Sequence, residues 1–320
     1  MANESKRVLP RIGITGAAGL VGQNLIPRLK ANGYKDIVAV DKHPVNTALL
    51  RRLHPDINVI QENLARTNGW QESVSACDVV VCAHAQIGGI DRTAYDENNV
   101  FATRRLLDAV KTNSNAYVIH ISSSVVESAA SDWYTETKEA QERLVIESGI
   151  PYVVLRPTLM FGWFDRKHFG WLARFMQRVP IFPIPGNGRY LRQPLYAGDF
   201  CDILTSCITH RPNKMTYNIS GQEIISYVDI VRAIRDVCGA HAVIVRIPFP
   251  IFWLLLRLYA IFDRNPPFTT KQLDALVTPD IFEMIDWPRI FDLKATPLLT
   301  ALEQTYCDPV YSKIVLEFRV

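Results

Sequence analysis

Short apolar runs alternate with amphipathic segments along the first half of the chain, from about residue 11 to residue 157. The runs near residues 11, 36, 57, 79, 117 and 152 are predicted to be β-strands, and the segments between them to be helices. Strands that alternate with helices form a parallel sheet with helices on its faces. The pattern therefore predicts an α/β fold built on a doubly wound parallel sheet.

The pattern loosens from about Arg166 onward. Prolines and glycines punctuate the stretch from Pro180 to Gly188, which indicates an irregular loop. Apolar segments return near residues 196–220, and we expect them to rejoin the sheet. We predict a main domain over residues 1–165 and a smaller lobe over residues 166–320 that is interleaved with it.

A glycine-rich turn follows the first predicted strand, in the order strand, turn, helix. Gly16 would permit a tight turn, Gly19 would let the backbone approach a pyrophosphate, and Gly22 would let the helix pack close to the strand. The turn predicts a Rossmann-type, dinucleotide-binding domain over residues 1–165. The predicted cofactor contacts in this turn are Gly16, Ala18, Gly19, Leu20, Val21 and Gly22.

Asp41 ends the second apolar run, about 20 residues after the glycines. A carboxylate at this point accepts hydrogen bonds from the adenosine ribose, and it would repel the extra phosphate of NADP. The sequence therefore predicts NAD as the cofactor, with NADH as its reduced form. Lys42 and His43 follow directly and would soften this preference, which leaves NADPH open.

Tyr134 and Lys138 lie four residues apart in a segment that is predicted to be helical. This spacing places both side chains on one helix face. An ammonium group close to the phenol would stabilise the phenolate and lower the tyrosine pKa from its usual ~10. Such a tyrosine can exchange a proton with a substrate oxygen. The spacing alone is common in helices, and the glycine turn earlier in the chain is what gives it weight.

With these motifs in this order, most of the chain resembles the extended short-chain dehydrogenase/reductase superfamily. That superfamily contains NAD-dependent nucleotide-sugar epimerases, dehydratases and reductases. The run from Val79 to Ala85 resembles the family's fourth strand. The resemblance implies that Ala83, His84 and Ala85 line the path of the cofactor, and that Lys138 also holds the nicotinamide ribose.

Two further stretches resemble family motifs. The run from Ile119 to Val126 is similar to the strand that delivers the catalytic Ser or Thr, and counting back three positions from Val126 selects Ser123. Ser124 is the weaker choice and is assigned to substrate contact. The run from Arg192 to Asp199 resembles the place where an arginine meets the nucleotide diphosphate, so the resemblance implies that Arg192 binds substrate and that residues 166–320 form a substrate-binding lobe.

Two positions depart from the family pattern. Glu127 stands where many members carry a tyrosine, and Leu159 stands where the UDP-sugar epimerases and dehydratases usually carry an asparagine that holds the sugar nucleotide. The pocket therefore looks more like that of a reductase. The loop from Ala85 to Ile90 is also similar to that of GDP-sugar epimerase/reductases.

The resemblance implies a specific activity: NAD(P)H-dependent reduction of UDP-4-keto-6-deoxy-N-acetylglucosamine to UDP-N-acetylquinovosamine in bacterial surface polysaccharide (O-antigen) biosynthesis. A nucleotide-sugar 4-epimerase with tightly bound NAD is the alternative within the enzyme class. Another class is a catalytically silent NAD-binding subunit, like the accessory subunit of respiratory complex I. The presence of Ser123, Tyr134 and Lys138 argues against a silent subunit.

Composition excludes several other classes. A formal net charge of +3 is too small to indicate a nucleic-acid-binding protein. The six cysteines show no paired metal-ligand spacing, so no metal is expected, and their pattern suits a reduced cytosol. No apolar run of signal-peptide length lies near Met1, so we expect a cytoplasmic protein. The sequence is compatible with a homodimer.

Three other features need an interpretation. The apolar segment 247–262 contains Arg257 and falls short of the ~20 apolar residues that a spanning helix needs. We interpret it as a helix packed on the body of the protein, with a membrane-surface or oligomer contact as the alternative. His84 is interpreted as a packing residue, His120 as a core histidine with satisfied hydrogen bonds, and the charged cluster 165–168 as a solvated loop.

Overall fold

A seven-stranded parallel sheet forms the centre of the protein in the computed structural model, which describes residues 9–127, 132–262 and 283–317. The strand order is β11-β6-β5-β4-β1-β2-β3. This architecture confirms the predicted doubly wound α/β fold, including all six strands expected before residue 157. The strands are β1 Ile12–Thr15, β2 Ile37–Asp41, β3 Asn58–Gln61, β4 Val79–Cys82, β5 Tyr117–Ile121, β6 Tyr152–Pro157 and β11 Met215–Ile219.

Helices connect the strands and cover both faces of the sheet. A π-helical turn, Asp96–Phe101, joins α4 to α5, and a 3₁₀ turn, Ser124–Glu127, follows β5. The α-helices as far as residue 262 are α1 Leu20–Ala31, α2 Pro44–Leu53, α3 Gln71–Ser75, α4 Arg92–Tyr95, α5 Ala102–Val110, α6 Trp133–Glu147, α7 Phe169–Met176, α8 Ala197–His210, α9 Tyr227–Val237 and α10 Phe249–Phe262. Two short helices, Trp287–Phe291 and Leu298–Tyr306, follow.

The sheet is buried on both faces because its central strands are apolar at nearly every position. Along β2, Ile37 and Ala39 belong to the core on one face, and Val38 and Val40 belong to the core on the other. This alternation follows from the two-residue period of a strand. The sheet is therefore rigid, and the ends of its strands fix the positions of the residues that come next in the sequence.

The direction of chain progression reverses between β1 and β4, which lie side by side at the centre of the sheet. Thr15 at the end of β1 pairs in register with Cys82 at the end of β4. Ligands of open α/β sheets bind outside the carboxyl ends of the strands at such a switch point. The glycine turn after β1 and the run Ala83 to Ala85 after β4 therefore lie next to each other.

Residues beyond 157 build a second, smaller core and also complete the sheet. The smaller core includes residues of α7 and α9 and the parallel pair β8 Ile181–Pro185 and β13 Val243–Ile247. Strand β11 pairs in parallel with β6 at the edge of the main sheet. The division of the chain at residue 165 stays a prediction. Two pairs of two-residue strands complete the strand set: β7 Met160–Phe161 with β10 Leu195–Tyr196, and β9 Leu191–Arg192 with β12 Ile225–Ser226.

Helix α10 exposes an apolar stripe. Ile251, Leu254, Leu255 and Leu258 follow one another at the spacing of a single helix face, and each exposes between 46% and 53% of its surface. Packing against the body of the protein therefore does not cover this face, in contrast to the expectation for segment 247–262. Within the described residues, no helix is both long and apolar enough to cross a bilayer.

Candidate active site and cofactor cavity

The glycine turn adopts a backbone that requires glycine at two positions. Gly16 has a φ of 67°, and a Cβ there would lie 2.7 Å from the backbone of Ala83 on the neighbouring strand. A Cβ on Gly22 would lie 2.3 Å from the carbonyl oxygen of Ala17. These contacts bring the start of α1 against the end of β1. At Gly19 the nearest atom to an added Cβ is the Gly16 oxygen at 3.2 Å, and no side chain caps the helix there.

Asp41 is held at the end of β2 by two backbone amides. Its Oδ2 accepts a hydrogen bond from the amide of Ala18 at 3.0 Å, and its Oδ1 accepts one from the amide of His43 at 2.9 Å. Burial raises the pKa of the Asp41 carboxyl, although both amides and the nearby Lys42 oppose that shift. The carboxylate is thus fixed in orientation, as a group that receives ribose hydroxyls must be.

The two basic neighbours of Asp41 are engaged elsewhere. The amine of Lys42 donates to Oδ1 of Asn98 at 2.9 Å, and burial lowers its pKa. The ring of His43 accepts a hydrogen bond from the amide of Asn46 and so caps α2. Of the two, only Lys42 lines the cavity beside Asp41.

A cavity of about 260 Å³ lies at the switch point of the sheet, between the glycine turn and the ends of β2 and β4. Ten residues that precede Lys138 in the sequence are predicted to bind the cofactor, and eight of them line this cavity. Ala18 and Gly22 do not line it: the amide of Ala18 orients Asp41, and Gly22 allows close packing. The eight lining residues are Gly16, Gly19, Leu20, Val21, Asp41, Ala83, His84 and Ala85.

Tyr134 and Lys138 lie one turn apart on α6, as the sequence predicts. The side chain of Asp132 accepts a hydrogen bond from the amide of Thr135 at 2.8 Å and fixes the start of that helix. Ser123, which follows β5, is near enough to the phenol of Tyr134 to lower its pKa. A hydroxyl from the strand end and a phenol from the helix therefore converge on one point.

The pKa of Tyr134 differs from the expectation. Burial is the largest effect and raises this pKa above its ordinary value, while the nearby Ser123 opposes the rise. The prediction that Lys138 lowers the pKa of Tyr134 is therefore wrong. The lysine amine is directed at other groups. The amine donates to the carbonyl of Ile121 and to Oε1 of Gln141, both at 2.8 Å.

Lys138 is 1% exposed, and burial lowers its pKa to about 7. The carboxylate of Glu142, one turn further along α6, opposes that shift. Glu142 in turn receives two hydrogen bonds from the guanidinium of Arg156, at 2.9 and 2.7 Å. Arg156 also donates to Glu127 at 2.6 Å. Glu127, which departs from the family pattern, is thus part of an ion-pair network that reaches the helix of the candidate catalytic residues.

The two strand histidines differ in their hydrogen bonding. The ring of His84 lies 2.7 Å from the hydroxyl of Thr15 and 3.0 Å from that of Thr103, so both ring nitrogens have a partner and the interpretation as a packing residue fits. His120 is fully buried, but among the described residues neither ring nitrogen has a hydrogen-bond partner. The expectation that the hydrogen bonds of the His120 ring are satisfied is therefore wrong.

The cluster 165–168 is not a simple solvated loop. Asp165 is buried, and its carboxylate accepts hydrogen bonds from the amides of Lys167, His168 and Gly170. It stabilises the first turn of α7, because the first amides of a helix lack partners within the helix. The role of Asp165 is structural.

The predicted substrate residues lie on separate elements. Ser124 is buried in the 3₁₀ turn after β5. Arg192 lies on β9, where it donates to the carbonyl of Leu191 at 2.8 Å and its guanidinium lies 5.4 Å from the centre of the Tyr190 ring. Leu159 exposes 36% of its surface after β6. Substrate contacts by Ser124 and Arg192 stay predictions.

Three residues close to Lys138 escaped the sequence reasoning. Gln141 and Glu142 stand three and four positions after Lys138, so helical spacing alone would have placed them on its face. The hydroxyl of Thr103 accepts a hydrogen bond from Nε2 of Gln141 at 2.8 Å. No signal in the sequence links Thr103 to Gln141, since the contact joins α5 to α6.

Comparison with known proteins decides the family. Residues 12–220, more than half of the chain, match the model of the NAD dependent epimerase/dehydratase family. The chain belongs to this family. NAD is the cofactor of the family, and the cavity fits it: glycine backbone at the start of α1 suits a diphosphate, and the oriented Asp41 suits a ribose. This confirms the predicted cofactor and the coarser part of the predicted activity, an NAD-dependent enzyme.

Two curated relatives are distant from this chain in sequence. A ceramide reductase of Caulobacter vibrioides is 21% identical over 250 residues, which are 78% of this chain and 76% of the relative. An uncharacterized UDP-glucose epimerase of Bacillus subtilis is 26% identical over 267 residues, 72% of this chain and 83% of the relative. Relatives at this distance differ widely in substrate.

A solved family structure supports the fold. UDP-glucuronic acid 4-epimerase from Bacillus cereus, in complex with NAD, superimposes with a TM-score of 0.70 at 23% identity and covers 92% of this chain and 95% of its own. The likeness is one of fold, and it extends over both cores.

Proposed function

We propose that the protein reduces a nucleotide-linked 4-keto-6-deoxy sugar with NADH, and that UDP-4-keto-6-deoxy-N-acetylglucosamine is its substrate and UDP-N-acetylquinovosamine its product. The observation that carries the proposal is the convergence of Ser123 and Tyr134, with Lys138 one helical turn further along α6. A pathway for bacterial surface polysaccharide (O-antigen) is the context in which such a product is used. Support also comes from a curated relative, a dTDP-4-dehydrorhamnose reductase of Aggregatibacter actinomycetemcomitans that is 21% identical.

The protonated state of Tyr134 is compatible with reduction, although its raised pKa makes the phenol a weaker acid than an ordinary tyrosine. A phenol that keeps its proton at neutral pH is ready to donate it, and reduction of a ketone requires a proton donor at the developing alkoxide. In the proposed mechanism Tyr134 donates this proton, and the hydroxyl of Ser123 holds the same oxygen by a hydrogen bond. Bound NADH supplies the hydride.

Lys138 and Asp41 would hold the cofactor. Two of the protons on the Lys138 amine go to Ile121 and Gln141, and the third would go to the nicotinamide ribose. The carboxylate of Asp41, fixed by two amides, would accept hydrogen bonds from the adenosine ribose. Arg192 would bind the diphosphate of the substrate and position the sugar.

The substrate class is tested through Arg192. Replacing it with alanine would remove charge-assisted hydrogen bonds worth about 1.5–3 kcal/mol, or roughly 10–100-fold in affinity for UDP. Affinity for NADH should hardly change. Calorimetric titration of UDP and of NADH into both proteins measures the two effects, and Arg189→Ala in the neighbouring loop is the matched control.

A 4-epimerase is the second candidate, since the solved relative from Bacillus cereus is one. An epimerase returns the hydride to the same sugar and keeps its NAD bound. The purified protein is therefore analysed for bound NAD and for NADH consumption with a 4-keto sugar nucleotide. Bound NAD without net consumption would replace the reductase by the epimerase.

An apolar ketone is the third candidate, and Leu159 is the observation that favours it. An exposed leucine after β6 suits an apolar substrate better than a sugar nucleotide. The relatives include the ceramide reductase and a 3 beta-hydroxysteroid dehydrogenase/Delta 5-->4-isomerase of Mycobacterium tuberculosis that is 25% identical over 342 residues. If UDP does not bind the wild-type protein, the sugar-nucleotide proposal fails and this one takes its place.

A further inference from the structure

A continuous chain of buried hydrogen bonds runs from Lys138 to the wall of the cofactor cavity. The amine of Lys138 bonds to Oε1 of Gln141 at 2.8 Å, and Nε2 of Gln141 bonds to the hydroxyl of Thr103 at 2.8 Å. That hydroxyl lies 3.0 Å from Nε2 of His84, whose Nδ1 lies 2.7 Å from the hydroxyl of Thr15. All five residues are less than 9% exposed, so water does not compete for these bonds.

Chemistry fixes the direction of the chain from its lysine end. In its protonated form Lys138 has only protons to offer, so the group of Gln141 that faces it is then the carbonyl oxygen. The amide nitrogen of Gln141 then faces Thr103 and donates to it. The single hydroxyl proton of Thr103 is left for the nitrogen of His84.

The opposite end is compatible with this direction. Burial lowers the pKa of His84 to about 3, so the ring is neutral and carries one proton. Because Nε2 accepts from Thr103, that proton is on Nδ1, which then donates to the hydroxyl oxygen of Thr15 at 2.7 Å. The hydroxyl proton of Thr15 then has an acceptor in the carbonyl of Val81, at 3.4 Å.

We propose that Gln141 is a positioning residue for Lys138, and that the one-way chain through Thr103, His84 in its Nδ1–H form and Thr15 holds Gln141 in place. The chain leaves the carbonyl of Gln141 to accept from Lys138 alone. It also ties the lysine to β1, β4 and α5, the elements that form the cofactor cavity. This inference rests on the cofactor-holding role given to Lys138 under the proposed function.

We expect Gln141 to control the pKa of Lys138. Four titratable side chains act on this amine or respond to it, and the carboxylate of Glu142 is the strongest charge that favours its protonated form. Gln141→Glu would add a carboxylate at the position of the present oxygen and raise the pKa of the lysine by about one to three units. The four side chains are Glu142, Cys82, His84 and His120.

The first experiment needs no cofactor. Nitrogen-edited NMR of the free protein determines which ring nitrogen of His84 carries the proton, and His84→Gln identifies the signal by its loss. We expect the Nδ1–H form, with no titration between pH 5 and pH 9. An Nε2–H form, or titration in this range, would contradict the proposed direction of the hydrogen-bond chain.

The second experiment measures the dissociation constant of NADH against pH by fluorescence. For the wild type we expect a break near pH 7, with binding roughly fivefold weaker above it as the lysine loses its charge. Gln141→Glu should move the break upward by one pH unit or more, and Gln177→Glu, which adds the same charge at an exposed position, should not.

A residue that only stabilised the fold would change the melting temperature without moving the break. The positioning role is therefore overturned if the break stays in place in Gln141→Glu, or if the wild type shows none. Neither experiment uses a sugar substrate, so a failure of the proposed reductase activity leaves both results interpretable. If Gln141→Glu does not fold, the NMR measurement on His84 still tests the direction of the hydrogen-bond chain.

Discussion

Replacing Glu142 with glutamine would break the buried ion pair behind the candidate catalytic helix. The carboxylate of Glu142 is 7% exposed and accepts two hydrogen bonds from Arg156, whose side chain is 21% exposed. Removing one partner of a buried pair costs about 3–5 kcal/mol, because the other charge loses its compensation. Arg156 keeps Glu127 and some contact with water, so we expect a loss of about 2–3 kcal/mol.

Chemical denaturation measures this loss as a change in the free energy of unfolding. Glu147→Gln is the matched control, because Glu147 is an exposed residue at the end of the same helix and its loss should cost less than about 0.5 kcal/mol. A loss of the same small size for Glu142→Gln would refute the reasoning, since the pair would then contribute no stability beyond that of a surface charge.

The same variant has an effect on Lys138 with a definite sign. The charge of Glu142 favours the protonated lysine, so its removal should lower the lysine pKa further below about 7. The break in NADH binding should then move to lower pH, opposite to the shift expected for Gln141→Glu. An unchanged break would show that the carboxylate does not act on the amine.

Three other predictions concern the cofactor and the chemistry. Tyr134→Phe should lower turnover by roughly 10²–10⁴-fold with little change in NADH affinity; steady-state kinetics with near-normal turnover would remove Tyr134 from the mechanism. Asp41→Ala should shrink the preference for NADH over NADPH in kcat/KM, and equal use of both cofactors by the wild type would contradict the role of Asp41. Gly22→Ala should cost about 1–3 kcal/mol or more in urea unfolding, because its Cβ would meet the Ala17 carbonyl at 2.3 Å; an unchanged midpoint would mean that the helix can shift freely.

The sequence was sufficient wherever a local requirement identified the residue. Gly16 was predictable because a tight turn next to another strand requires glycine, and Asp41 because a strand end places it beside that turn. The Tyr134 and Lys138 pair followed from helical spacing. Each of these depends on neighbours within a few residues or on one strand-turn-helix unit.

The failures depend on contacts between distant parts of the chain. The direction of the Tyr134 pKa was wrong because burial, a property of the packed structure, exceeds the effect of one charged neighbour. The link from Gln141 through Thr103 to His84 joins α6, α5 and β4, and no periodicity along the chain reports it. The unsatisfied ring of His120 likewise depends on what surrounds it in three dimensions.

Strand β11 is synthesised well after β6, the strand with which it pairs, and this order affects folding during synthesis. Strand β6 ends at Pro157, but its partner at the sheet edge begins only at Met215. A ribosome that adds 5–20 residues per second needs roughly 3–12 s to make the intervening segment. During this interval the nascent sheet presents β6 as an open edge, which is a site for pairing with other chains. Until β11 has left the ribosome, the chain therefore depends on protection of that edge, and a pause in translation between these two strands would lower the yield of folded protein.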